Sequence, residues 1–213
     1  MTQERGRPRT FDIDEALEQA LLVFWRRGFL DASLAELTRA MGLNKPSLYA
    51  AFGDKERLYL LAIDRYVEQR LSRHAAALDD EPEASRAIER FLRALAALYA
   101  DPRNPGGCFL INGAADLGGA GMPKAVEEKL QGALQGNEGR LKSRLQRARA
   151  DGQLPADAQP DLLASFYMAI VAGLGVLAKA GARRAKLEAV VDQAMRAWPA
   201  LTPRRARQTR PSR

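Results

Sequence analysis

The spacing of the apolar residues constrains this chain more than any other feature. They recur at three and four positions and almost never alternate at two. Ile13, Ala16, Leu17, Ala20, Leu21 and Phe24 stand at i, i+3, i+4, i+7, i+8 and i+11, which is one apolar face of a helix. The pattern repeats along most of the 213 residues, and no segment alternates long enough to make a convincing strand. The expected fold class is all-α. Punctuation divides the pattern: Gly28, Gly42, Gly53, Glu81-Pro82, Asp101 to Gly107, Gly118 to Pro123, Gly152 to Pro160, and Gly181. The start signals agree. Asp12 can cap the first helix, Ser33 with Glu36 makes a capping box for the second, and Asn44 can cap the third, whose first turn tolerates Pro46. Asp54 caps a long fourth helix of roughly 54–79, and five more follow at about 83–100, 107–117, 123–150, 160–180 and 184–197, about nine in all.

Cysteine and histidine usage excludes two classes of stabilisation. One Cys and one His allow neither a disulfide framework nor a structural zinc site, so no metal and no other cofactor is expected. His74 has no second ligand at i+4. The opening MTQERGRPRT has no apolar run and reads as no signal peptide, which places the chain in a reducing cytoplasm. The net charge of +7 is unevenly spread. Residues 1–60 sum to zero, while the last ten residues carry five Arg and no acid. The expected organisation is a module at 1–53 with a basic arm at 1–10, a second helical domain at 54–203, and a disordered Arg-rich tail at 204–213.

Leu162 through Ala178 is a seventeen-residue stretch without charge. That is short for a membrane span, which needs about 20 residues. An all-apolar helix must be buried in something, and the reading here is a protein–protein interface rather than a membrane. Leu163, Ile170, Leu174 and Leu177, with Val190 from the last helix, are the expected contacts with a second copy.

Two short helices joined by a tight turn after a longer first helix describe a helix-turn-helix module. Leu34, Leu37, Met41, Leu43, Leu48 and Phe52 would fix the interhelix angle and Gly42 the turn. Lys45, Ser47, Tyr49, Ala50 and Ala51 remain for the surface of the third helix. These residue types suit a DNA groove. Lys45 at the helix N-terminus can reach a guanine edge or a phosphate, Ser47 can donate or accept, and Ala50 allows close approach. Tyr49 can bond a phosphate oxygen. Lys55 opens the fourth helix, where a cation opposes the helix dipole, so an external anion is an attractive reason for it.

The stretch Phe11 to Tyr59, with Gly28-Phe29, Ser33-Leu34, Met41-Gly42-Leu43, Pro46-Ser47-Leu48-Tyr49, Phe52 and Asp54-Lys55-Glu56, resembles the TetR family of bacterial transcriptional regulators. The resemblance implies a homodimeric repressor whose recognition helices enter successive major grooves of operator DNA. It also implies a C-terminal domain that binds an inducer. By position, Lys45, Pro46, Ser47 and Ala50 would face bases, and Tyr49 and Lys55 would hold phosphates, with Ser33 at the start of the second helix. Arg7 and Arg9 of the arm would enter the adjacent minor groove.

Two readings of the inducer side stand together. Cys108 follows Gly107 at the start of a helix, where a thiolate is favoured; equally, a lone Cys is an ordinary small buried residue. Gly107-Cys108-Phe109-Leu110 with Asn112 and Asp116 resembles a Gly-Cys subgroup of the family, some of whose members respond to electrophiles or oxidants through this Cys. Lys179 matches a Lys found in such members, and a nearby ammonium would favour thiolate. The competing reading is a reversible pocket lined by Phe91, Leu95, Tyr99, Phe109, Phe166, Tyr167 and Met168. Outside regulation, a thiol-based redox enzyme and a non-sequence-specific DNA-coating protein are the alternatives. The chain lacks a Gly-x-Ser-x-Gly elbow, a phosphate loop and a resolving Cys.

Overall fold

The computed structural model describes residues 11–199. Arg7 and Arg9 of the arm, and the Arg204–Arg213 tail, lie outside the described residues. Among those described the fold is all helical, with no strand. The elements are α1 (Ile13–Asp31), α2 (Leu34–Met41), α3 (Lys45–Phe52), α4 (Lys55–Tyr66), a π-helical turn (Val67–Leu71), α5 (Ser72–Ala75), α6 (Ala77–Asp80), α7 (Ala84–Tyr99), α8 (Phe109–Ala114), α9 (Lys124–Ala150), α10 (Pro160–Lys179) and α11 (Arg184–Met195). Helical backbone is continuous from α4 through α6, so the chain from 55 to 80 is one rod carrying a π-helical turn.

Local chemistry explains the first four helices. Asp12 Oδ1 accepts from the Asp14 and Glu15 amides at 2.8 and 3.2 Å. The Ser33 capping box closes in both directions, with Glu36 N–H on Ser33 Oγ at 3.1 Å and Ser33 N–H on Glu36 Oε2 at 3.2 Å. Asn44 Oδ1 accepts from the Ser47 amide at 2.9 Å, and Asp54 Oδ1 from the Arg57 amide at 2.8 Å. Each cap satisfies an amide that the helix itself cannot. Gly42 takes a left-handed φ of 65° at the end of α2, a conformation other residues resist. Gly28, with φ 77° and ψ −179°, breaks α1 one turn before its end.

Packing then joins the two parts. α4 lies against α1 on one side and α9 on the other, and α8 touches α1, α9 and α10. An aromatic cluster fills the junction. Phe24 and Phe29 of α1 meet Tyr59 of α4 edge-on at 4.8 and 5.3 Å, and Trp25 meets Tyr66 at 5.0 Å. Phe109 of α8 closes it, 5.3 Å from Tyr59 and 5.5 Å from Tyr66. Outside this cluster, Arg65 binds Asp14 at 3.0 Å and Glu18 at 2.8 Å, and Arg70 binds Glu18 at 2.5 Å. The acidic residues of α1 are thus used to tie α1 to the rod. Arg144, almost wholly buried, donates to the Glu81 and Pro82 carbonyls at 3.0 and 2.9 Å. It occupies acceptors that the break at Pro82 leaves open.

Among the dimerisation residues expected from sequence, Leu174 needs a correction. Leu174 is wholly buried in its own protomer, and Leu163, Ile170, Leu177 and Val190 are half-buried against the same core. The outward stripe of α10 runs instead through Leu162, Phe166, Ala169, Gly173 and Val176, with Leu162 63% and Val176 60% exposed. An uncharged run has no polar face to set the phase of the helix, and Leu174 points inward where Gly173 points outward. α10 is also the one helix among the described residues long and apolar enough to cross a membrane, yet a third of that window (33%) is buried inside the protein.

Candidate functional site

Four apolar anchors orient the outward face of α3. Leu48 and Phe52 are buried in the core, as are Leu37 and Met41 of α2. With that side fixed, Lys45, Pro46, Tyr49 and Ala50 are exposed and Ser47 is half-exposed. Tyr49 presents 47% of its surface to solvent, more than a core tyrosine would. α3 carries no acidic side chain, and Lys45 is its only charge. A cation at the N-terminus, two small side chains and a free phenol on one outward face form a surface that meets a negatively charged groove without a repulsive group. Ser33 is exposed too, but its hydroxyl is engaged with Glu36 in the capping box.

Lys55 has a more specific setting than its sequence position implies. Its Nζ lies 4.7 Å above the Phe29 ring and donates to the Leu30 carbonyl at 3.2 Å. It therefore terminates α1 as well as opening α4. Burial pushes its pKa down, with Asp31 opposing. The exposed cation the sequence reading passed over is Arg39 on α2; Arg27, paired with Glu36 at 3.2 Å, lies beside it in a hollow between α1 and α2.

The structure brings together part of the expected sensing site. Cys108, 3% exposed, lines a nearly closed cavity of about 10 Å³ together with Phe91, Leu95, Tyr99 and Met168. That is room for about one water molecule. Leu71, Ile111 and Asn137 complete much of the wall. Tyr66 O–H donates to Cys108 Sγ at 3.4 Å. Burial raises the pKa of Tyr66 and Tyr99 well above the usual phenol value, and the thiol beside them adds to the shift. Both phenols therefore remain protonated donors around the sulfur. Tyr66 was missed in the sequence. Its one signal is its place on the apolar face of α4, seven residues after Tyr59.

Four expected members lie elsewhere. Phe109 packs in the aromatic junction on Tyr59 and Tyr66 and does not line the cavity. Phe166 is on the exposed stripe of α10. Tyr167 is wholly buried against Phe166 and Trp198, its pKa pushed up to about 12 by burial, and it does not line the thiol cavity. Lys179 Nζ donates to the Arg26 carbonyl at 3.4 Å and is absent from the cavity wall. The break at Gly28 leaves terminal carbonyls of α1 without helical donors, and the ammonium is used there. Asn112 braces the approach loop: Nδ2 donates to the Gly106 carbonyl at 3.4 Å, and its amide donates to the Cys108 carbonyl at 2.9 Å.

The residue before Cys108 has no room for a side chain. Gly107 has φ +71°, and a Cβ there would lie 2.6 Å from the Gly175 carbonyl oxygen of α10. Gly107→Ala combines a left-handed penalty with a backbone clash, and is expected to cost about 3 kcal/mol. For a chain of this size that lowers Tm by roughly 6–12 °C, measurable by thermal denaturation. An unchanged Tm would show that α8 does not seat against α10 in this way.

Known proteins match both halves of this architecture. Residues 16–62 match the family described as "Bacterial regulatory proteins, tetR family", and residues 84–198 match "Tetracyclin repressor-like, C-terminal domain". The HTH-type transcriptional repressor ComR of Escherichia coli (strain K12) is 34% identical over 200 residues, covering 93% of this chain and 94% of ComR. A cysteine mutant of the TetR family regulator CifR, solved with 26-bp double-strand operator DNA, is 41% identical with a TM-score of 0.86; the match covers 91% of this chain and 100% of that one. A TetR regulator from Rhodococcus sp. RHA1 is 34% identical with a TM-score of 0.61, over 88% of this chain and 100% of that one. The matches span the α2–turn–α3 unit and the helical domain behind it, along nearly the whole length: this chain belongs to the TetR family of bacterial transcriptional regulators.

Proposed function

We propose that two copies of this chain, joined along the outward stripe of α10, seat their α3 helices in successive major grooves of an operator and repress transcription until Cys108 is modified. The observation that carries the reading is the face of α3 led by Lys45, outward, free of acid and held by buried anchors. The CifR cysteine mutant, complexed with operator DNA, supplies the precedent for the same fold on DNA. In this reading Lys45, Pro46, Ser47 and Ala50 meet base edges, and Tyr49 meets a phosphate. Ser33 and Lys55 face the backbone, and Arg7 and Arg9 enter the minor groove. The chain divides functionally near Gly53, performs no catalysis, and acts in the cytoplasm.

The thiol is favoured over a reversible inducer for a physical reason. The cavity has about 10 Å³, far below the roughly 300 Å³ of ordinary ligand pockets. A small electrophile needs only to reach the sulfur. Sγ forms a bond to the electrophilic carbon, the leaving group departs with the electron pair, and the thiol proton passes to solvent. The adduct then occupies space already filled by Tyr66 and the neighbouring Phe109. Those rings pack on Trp25 and Tyr59, so strain passes to α1 and to the base of the recognition unit. Release follows only as far as the adduct favours the altered state.

The test uses an operator selected from random duplexes. Iodoacetamide at neutral pH should label Cys108 once and release wild-type protein from the operator, while Cys108→Ser should bind and not be released. A Cys108 that stays unlabelled in the folded protein, or labelled protein that holds the operator undiminished, contradicts the sensing role but leaves DNA binding standing.

A further inference from the structure

A hollow of about 730 Å³ lies apart from both α3 and the thiol cavity. Its walls come from α1, the π-helical turn, α5, the end of α7 with its following loop, and the start of α11. Four guanidiniums line it, from Arg70, Arg73, Arg103 and Arg184, against two carboxylates, Glu18 and Asp101. Arg70 is paired with Glu18 and Arg103 with Asp101, while Arg184 is balanced by Glu188 from outside the lining. Arg73 makes no ion pair among the described residues and is exposed. The hollow therefore keeps a net positive charge.

The other groups narrow the ligand further. Burial and the nearby Arg73 cation lower the pKa of His74, which leaves a neutral imidazole with one N–H to donate. Arg103 holds the Asp101 carboxyl down to about 2, so Asp101 stays ionised and keeps its guanidinium partner. Leu22, Ala94, Ala97, Leu98 and Pro102 supply apolar wall between the charges. Cations and metal ions are repelled by such a lining. A bare inorganic anion would leave the apolar part unused.

We infer that this hollow binds a small organic anion, a carboxylate or phosphate monoester on an apolar body, as an effector site separate from Cys108. Its position gives it leverage. Arg70 is at once part of the lining and half of the tie between the rod and Glu18 of α1, so an anion that draws on Arg70 acts on the joint between the two parts of the molecule.

Full-length Cys108→Ser protein tests this without involving the thiol, and the outcome does not depend on the repressor reading. The probe is 1-anilinonaphthalene-8-sulfonate, followed by fluorescence and competed with benzoate, phenyl phosphate and inorganic phosphate. The expected result is a saturable site at least tenfold weaker in Arg73→Glu and several-fold weaker in Arg73→Ala, a position with no ion pair to lose. Benzoate or phenyl phosphate should displace the probe at concentrations where inorganic phosphate does not, and the better competitor identifies the head group. Unchanged probe affinity in Arg73→Glu, or displacement by inorganic phosphate as effective as by phenyl phosphate, would overturn the assignment.

Discussion

Lys45→Ala should weaken operator binding by roughly 100-fold or more, without changing the fold or the dimer. Lys45 is exposed, is the only charge on α3 and makes no ion pair among the described residues, so its removal leaves nothing buried unpaired. A good side-chain contact to a base edge is worth about 1–3 kcal/mol, and a dimer makes it twice. The loss should be greater on the operator than on random duplexes, because non-specific binding rests on phosphates. Tyr49→Phe offers the contrast. Removing a phosphate-bonding hydroxyl should weaken both kinds of DNA by a similar, smaller factor. Fluorescence anisotropy at one fixed salt concentration separates the two. Lys45→Ala protein with unchanged operator affinity would remove α3 from the interface.

Gly173→Arg should convert the dimer into a folded monomer. Nothing lies within 4 Å of a Cβ at Gly173, so the protomer has room for the side chain. The same position lies on the exposed stripe of α10, between Ala169 and Val176. There a guanidinium would be desolvated without a partner, a cost of several kcal/mol. Light scattering should report the 23.4 kDa monomer mass. Operator affinity should fall by roughly 10²–10⁴, because two linked half-site contacts become one. A variant that remained dimeric would place the interface elsewhere. Val190→Arg on α11 would then be the next position to examine.

The parts of this structure set by local chemistry were legible in the sequence. Asp12, Ser33, Asn44 and Asp54 each satisfy amides two or three residues away, and Gly42 supplies a turn within its own segment. Such features need no knowledge of the fold. Nine helices among the described residues, counting the 55–80 rod as one, follow from the same signals. The α3 surface followed as well, since its apolar anchors fix which side remains outward, except at Ala51, which is half-buried against the core. What was not legible depends on contacts between distant segments. Tyr66 reaches Cys108 across 42 residues, and Lys179 finds a carbonyl 153 residues away. Neither pairing leaves a trace in spacing. The contacts of Lys55 with the Phe29 ring and the Leu30 carbonyl were not legible either, because the sequence does not show that the end of α1 passes beneath it. α10 failed for the opposite reason. Apolar on every side, it offered no polar edge from which to count, and Leu174 was placed outward when Gly173 is.

The same contrast explains how the two parts of the molecule communicate. The recognition unit is built from short-range signals, whereas its link to the thiol is built from long-range ones: the aromatic cluster around Phe109 and the Arg65 and Arg70 pairs to α1. Partly buried pairs of this kind are screened less by salt than exposed ones. α1 and the rod as far as Arg70 should therefore move as one piece, and the π-helical turn, tied to α1 through Arg70, is the place where the rod can yield.

The central claim is that the Lys45 face enters the major groove twice, at a spacing matched to the duplex. Methylation interference on a selected operator measures this most directly, reading guanine N7 positions and, in parallel, loss of thymine methyl groups. Two clusters of interference about 10 base pairs apart on one face of the duplex, both weakened by Lys45→Ala, are the predicted result. A single cluster, or sequence-independent protection with no interference at any base, would contradict it.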